Sequence, residues 1–110
     1  MALKQSLTFA VLISCFASTA QSEICYFEVD DEIILQGPCI FEPLGGGDFL
    51  IKSSRTSPDY FAYVYLDGNK ADGFWNETLG ASHAHTTLGQ LRRIGGCWIN
   101  ETVRVCAWKN

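Results

Sequence analysis

Four cysteines, Cys25, Cys39, Cys97 and Cys106, stand as two close pairs at either end of a 90-residue stretch that is rich in β-forming residues. An even count in a small exported domain reads as two disulfides, and four cysteines allow three connectivities. Local geometry favours one of them. Cys97–Cys106 spans a hairpin with β-branched arms and a polar middle. With Cys97 facing Cys106, Trp98 opposes Val105, Ile99 opposes Arg104 and Asn100 opposes Val103, closing around Glu101-Thr102. Counted outward from that turn, the cysteines fall on a non-hydrogen-bonded pair, where Cα atoms approach most closely and a cross-strand disulfide fits. Glu-Thr is not a favoured two-residue turn, so the register is better determined than the turn. Cys25 and Cys39 likewise bracket Tyr26–Pro38, with Asp30-Asp31 as the turn. The expected bridges are Cys25–Cys39 and Cys97–Cys106. A closed loop of about 15 residues is worth roughly 3 kcal/mol in the chain-entropy model, a large share of the stability of so small a domain. A four-cysteine zinc site would need the close C-x-x-C pairs that are missing here.

The fifth cysteine, Cys15, falls in an N-terminal segment of another kind. One lysine near the start, an apolar run from Leu7 to Ala17 and the small residues Ser18 and Ala20 make a secretory signal. The run is short of the roughly 20 apolar residues that span a bilayer. Leu12-Ile13-Ser14-Cys15 also resembles a bacterial lipobox, in which Cys15 would carry lipid and anchor the chain to a membrane. Because the apolar run continues through Phe16 and Ala17, cleavage after Ala20 is the favoured reading. Either route exports the chain to the periplasm or the exterior, with residues 1–20 as leader and 21–110 as one domain.

That domain holds seven bases against twelve acids, a net charge of −5, and no basic run longer than Arg92-Arg93. Nucleic acid, whose binding depends on neutralising phosphates, is therefore excluded as a partner class, and cationic partners are favoured. Along the chain the apolar segments are short. Asp48–Lys52, Tyr60–Leu66 and Ala71–Trp75 read as strands, with Pro43–Gly47 and Ser53–Asp59 as loops. Thr78–Leu91 reads as a loop with one helical turn, and Leu91–Ile94 as strand. Ten glycines and no sustained helical period argue for an all-β fold, a small disulfide-stapled barrel or sandwich of antiparallel hairpins.

Two groups of residues invite a functional reading. Alternation along Tyr60–Leu66 puts Phe61, Tyr63 and Tyr65 on one face and Tyr60, Ala62, Val64 and Leu66 on the other. The plainer account is a central strand covered on both faces. The functional one is an aromatic contact surface for a protein or a glycan, with Trp75 and Trp98 better placed in the core. His83 and His85, two apart, point the same way in an extended segment and can reach one metal, with Asp48, Asp59, Asp72 or Glu77 as further ligands. No short-spaced second ligand pair accompanies them. Gly45-Gly46-Gly47 lacks the Lys and Ser/Thr of a phosphate loop. No poised nucleophile or singled-out carboxylate pair is present, so the chain is expected to be no enzyme and to need no cofactor. Asn76-Glu77-Thr78 and Asn100-Glu101-Thr102 are N-glycosylation sequons, relevant in a eukaryotic secretory pathway.

Gly37-Pro38-Cys39, Tyr60–Val64, Trp75-Asn76, His83-Ala84-His85, Leu88-Gly89-x-Leu91, Gly96-Cys97-Trp98 and Cys106-Ala107-Trp108 together resemble a group of small exported proteobacterial proteins of unassigned function. The resemblance spans nearly all of residues 21–110 and implies a compartment, not a chemistry. In size and disulfide content the chain is also similar to periplasmic lysozyme inhibitors, but it lacks their Ser-Gly-x-x-Tyr motif, so no functional residue carries over. The expectation is a non-enzymatic exported binding protein, an inhibitor of an extracellular hydrolase such as lysozyme being its most specific form. Its alternatives are a periplasmic metal-binding protein using His83 and His85, or a small structural protein of the cell envelope.

Overall fold

In the computed structural model, residues 21–56 and 58–109 are described; the expected signal segment 1–20, Cys15 included, lies outside them. Eight strands follow one another: β1 (Gln21–Val29), β2 (Glu32–Gly45), β3 (Asp48–Lys52), β4 (Phe61–Asp67), β5 (Lys70–Trp75), β6 (Thr86–Ile94), β7 (Cys97–Ile99) and β8 (Val103–Lys109). Each pairs antiparallel with its successor, and β8 returns to β1 with Val105 opposite Phe27 and Lys109 opposite Glu23. The fold is an up-and-down barrel, all-β as expected, and of the two expected architectures it is the barrel.

The period-2 pattern of each strand sorts its side chains between interior and exterior. Cys25 and Phe27 of β1, Ile51 of β3, Ala62 and Val64 of β4, Trp75 of β5, Leu91 of β6, Trp98 of β7 and Val105 of β8 are all buried in one core. Phe27 lies at its centre, with its ring edge-on to Trp75 at 5.2 Å. Eight strands enclose a space just wide enough for side chains to fill, and here large residues fill it. Gly73 is required for that fit, because an added Cβ would come within 2.9 Å of Leu88 and 3.1 Å of Leu91.

Both expected disulfides are formed. Cys25–Cys39 joins β1 to β2 inside the barrel, diagonally across the pair Cys25–Gly37, with Cα atoms 5.8 Å apart. Cys97–Cys106 joins directly opposed residues of β7 and β8, with Cα atoms 4.0 Å apart. Since Trp98 and Val105 face the core, this second bridge lies on the outer side. The turns explain the registers. Asp30 and Asp31 both have positive φ (52° and 67°), as the two central residues of a hairpin turn matched to strand twist require. At the other hairpin the carboxamide oxygen of Asn100 accepts from the main-chain N–H groups of Thr102 and Val103, 2.9 Å each. That side chain makes an Asx turn and removes the difficulty posed by Glu101-Thr102.

Two segments differ from the sequence reading. Pro43–Gly47 is not an open loop, because β2 runs on to Gly45 with Pro43 opposite Phe49, leaving a tight turn. Thr86–Leu91 belongs to β6 instead of a loop, and no helical turn occurs there. A bulge beside Gly89, where φ is +82°, breaks the alternation and brings Leu88 and Leu91, three residues apart, both into the core.

Candidate functional site

The barrel has a single wall, so the outward side chains of β3, β4 and β5 meet only what the loops lay over them. Leu50 opposes Tyr63, and Tyr63 opposes Phe74, making an outward row across three strands. Phe61 and Tyr65 extend that row along β4. Phe61 and Tyr63 meet edge to face at 6.0 Å, Tyr63 and Tyr65 stack at 5.6 Å with planes 6° apart, and Tyr65 leans toward Phe74 at 6.2 Å. Each such pair contributes about 0.5–1.5 kcal/mol beyond its area, which holds the rings in a fixed array. Exposure rises along the row: Phe61 and Leu50 are buried, Tyr63 is half-buried and Tyr65 is 41 % exposed.

Two long connections at one end of the barrel wall this array. Asn76 ties them together. Fully buried, it accepts a hydrogen bond from the Phe61 N–H at 3.0 Å through Oδ1. Its Nδ2 donates to the carbonyls of Asp59 (2.9 Å), Ala81 (3.1 Å) and Thr78 (3.4 Å). The Gly80 N–H also reaches the Asp59 carbonyl, and Ser53 Oγ accepts from the N–H groups of Asp59 and Tyr60. Glu77, at positive φ, takes the Thr86 hydroxyl at 2.8 Å.

Between these walls lie two adjoining depressions. One, of about 460 Å³, is floored by Phe61, Tyr63, Tyr65 and Phe74 and edged by residues 82–85. The other, of about 610 Å³, runs past Leu50 and Lys52 to Asp59 and Gly80. The expected aromatic residues Phe61, Tyr63 and Tyr65 thus share one groove with His83 and His85. Sequence reasoning placed these two groups apart, and it overlooked Phe74 and Leu50, although Phe74 alternates outward between Gly73 and Trp75. Trp75 and Trp98, by contrast, are core residues.

Two acidic residues neighbour Tyr65, and of these Asp48 acts on its phenol. Asp72 opposes Tyr65 on β5, and Asp48 accepts the N–H of the next residue, Leu66, at 2.7 Å. Burial pushes the Tyr65 phenol above its ordinary value, and Tyr63 and Asp48 push it the same way. Among the described residues the one ion pair is Lys52 with Glu42, on the far side of Leu50.

His83 and His85 are both exposed, and the His85 Nδ1 lies 3.0 Å from the His83 carbonyl. Of the four acids proposed as further ligands, Asp48 accepts the Leu66 N–H and Glu77 the Thr86 hydroxyl. No group of three or more metal-ligating side chains forms among the described residues.

Comparison with protein-family profiles, with curated proteins and with solved structures finds no match to this chain.

Proposed function

We propose that this chain is a non-enzymatic, exported binding protein that holds its partner against the outer face of β3–β5. The observation that carries the reading is the aromatic row Phe61–Tyr63–Tyr65–Phe74, turned away from the core and walled by connections pinned through Asn76. Half-exposed tyrosines held rigidly give large contact area at little entropic cost, as protein-binding surfaces require. The packed interior supports the same reading, since the depressions on the outside of the wall, about 460 and 610 Å³, exceed the one of about 290 Å³ at the barrel mouth. Two disulfides fit an oxidising compartment.

The most specific form of this proposal is inhibition of an extracellular hydrolase such as a cationic lysozyme, a partner whose charge suits an acidic domain. The test is a titration of lysozyme activity with the intact protein and with the triple variant Y63A/Y65A/F74A. We expect dose-dependent inhibition by the first and none by the second, both proteins unfolding cooperatively with their disulfides in place. Undiminished lysozyme activity at a large molar excess of the intact protein rejects the inhibitor assignment.

A further inference from the structure

The exposed end of the aromatic row carries an unmet charge. Tyr65 has Asp72 directly opposite on β5, while Asp48 on β3 is held one residue away by the Leu66 N–H. Among the described residues no lysine or arginine forms an ion pair with either carboxylate, although Lys70 shares the outward face of β5 two residues before Asp72. Lys52, the lysine of the neighbouring depression, is engaged by Glu42. The guanidinium of Arg93, the one found over an aromatic ring among the described residues, is over Trp98 on another part of the wall. Tyr63, Tyr65 and Phe74 therefore line a cavity of about 460 Å³, and the Tyr65 end of that row adjoins two carboxylates that no ion pair engages.

We infer that this corner of the groove is a receptor for a cationic side chain, an arginine or lysine presented by the partner protein and held over Tyr65 and Phe74 between Asp48 and Asp72. This deepens, and rests on, the proposal that the β3–β5 face is the binding surface. The chemistry is consistent at three levels. A ring quadrupole attracts a cation within about 6 Å of its centroid, more strongly once the pair is shielded from water. Two carboxylates beside the ring add charge-assisted hydrogen bonds, for which the fork of a guanidinium is the best match. The Tyr65 ring is accessible enough to be approached, while Tyr63 behind it is half-buried and supports its position. An anionic partner would face both carboxylates unshielded, and a neutral glycan would leave them without a counter-charge.

The probe is triarginine amide, with tricitrulline amide as its uncharged counterpart of nearly the same shape. Binding to the disulfide-intact protein is followed by two-dimensional NMR of the aromatic rings and the backbone amides. We expect triarginine to shift the signals of Tyr65, Phe74 and Asp72, tricitrulline to bind at least about tenfold more weakly, and added salt to weaken the first selectively. The exposed substitution Asp72→Asn and the combination D48N/D72N should each reduce triarginine affinity, the pair by about tenfold or more, while Glu101→Gln on the far hairpin leaves it unchanged. Equal binding of both peptides, shifts centred on the acidic turn Asp30–Glu32, or no shift at all would each overturn the inference. Failure here is separable from failure of the binding surface. If Y63A/Y65A/F74A abolishes hydrolase inhibition while D48N/D72N leaves it intact, the groove binds its partner without this cation.

Discussion

At Asn76 a single carboxamide takes over the pairing of main chain where β4 and β5 part, bonding the Phe61 N–H and three carbonyls from both loops. Its two amide hydrogens are shared among three acceptors in a site closed to water. Asn76→Ala would strand the Phe61 N–H and the Ala81 carbonyl, each at roughly 1–3 kcal/mol, while the Asp59 and Thr78 carbonyls keep the N–H groups of Gly80 and Ala81. Denaturant unfolding of the variant should show a loss of about 3 kcal/mol, with the groove walls exchanging amide protons faster than the rest of the barrel. The same geometry makes the sequon at Asn76 unusable in the folded protein, since a glycan on Nδ2 would displace its bonds and find no space. In a eukaryotic secretory host, Thr78→Ala removes the sequon and should raise the yield of folded protein. Mass spectrometry should find no glycan at Asn76 in the folded wild-type fraction. A folded, fully glycosylated fraction would contradict this placement. Asn76 was legible as a motif but not as a hub, because a sequon is read from three consecutive residues, and the two partners that tie it to the other connection are 15 and 17 positions away. Tyr26 offers a residue-level test of electrostatics. Its hydroxyl donates to the Glu28 carboxylate, and this bond, ahead of burial, raises its pKa. The folded state thus holds the neutral phenol, while the unfolded chain ionises near pH 10. The contribution to stability is intact below about pH 10 and is lost as pH rises through the folded pKa. Phenolate absorbance should show Tyr26 ionising after an ordinary tyrosine, and Glu28→Ala should bring it back toward that value.

The two disulfides close loops of similar length, 14 and 9 positions apart, so chain entropy alone separates their contributions by less than about 0.5 kcal/mol. Their environments separate them further. Cys25–Cys39 is packed among Phe27 and its neighbours in the core, whereas Cys97–Cys106 is outside the main cluster. Removing the first leaves a void in the interior as well as a looser unfolded chain. The double variant C25A/C39A should therefore lose at least about 1 kcal/mol more than C97A/C106A in denaturant midpoint experiments analysed with a common slope. The reverse order would mean that the inner bridge is strained enough to offset its packing. The hairpins these bridges staple were readable from sequence because a cysteine pair fixes register where propensity cannot, and all three expected pairs from Cys97 to Ile99 occur. The first half of β6 was not readable, for a physical reason, although Leu91–Ile94 was read as strand. The bulge at Gly89 shifts the alternation by one residue, so Leu88 and Leu91 share a face that period-2 counting assigns to opposite sides. The end of β2 was hidden by composition, since proline and three glycines signal a loop while Pro43 pairs with Phe49. On β4 the alternation was legible residue by residue. Whether Phe61, Tyr63 and Tyr65 meet a second sheet or a groove depended on the number of layers, which one strand cannot reveal.

Closure of the barrel is the feature no local pattern announces, because β1 and β8 meet across almost the whole length of the described chain. It nevertheless decides where function can reside. A closed wall leaves no strand edge for a peptide to extend, and Phe27, Trp75, Trp98 and the branched residues around them pack the interior, with a shallow mouth of about 290 Å³ between Val29, Ile34, Tyr60 and Trp75 at one end. What remains is the outside of the wall and the loops at its ends. The two long connections, 53–60 and 76–85, both emerge at one end and bend over β3–β5, while tight turns close the other. This asymmetry makes closure testable by moving the chain ends. Paired strands run about 4.8 Å apart, and Glu23 faces Lys109 across the seam, so a linker of about four glycine or serine residues suffices to join β8 to β1. A circular permutant carrying that linker and new ends between Gly46 and Gly47 keeps every strand pair, both disulfides and the groove. Its urea unfolding should be a single cooperative transition within about 2 kcal/mol of the parent, with the slope unchanged because the surface exposed on unfolding is the same. Were β1 and β8 instead two free edges of an open sheet, the linker would have to drag them together. The permutant would then show a shallower slope, lost protection at Phe27 and Val105, and readily reduced disulfides.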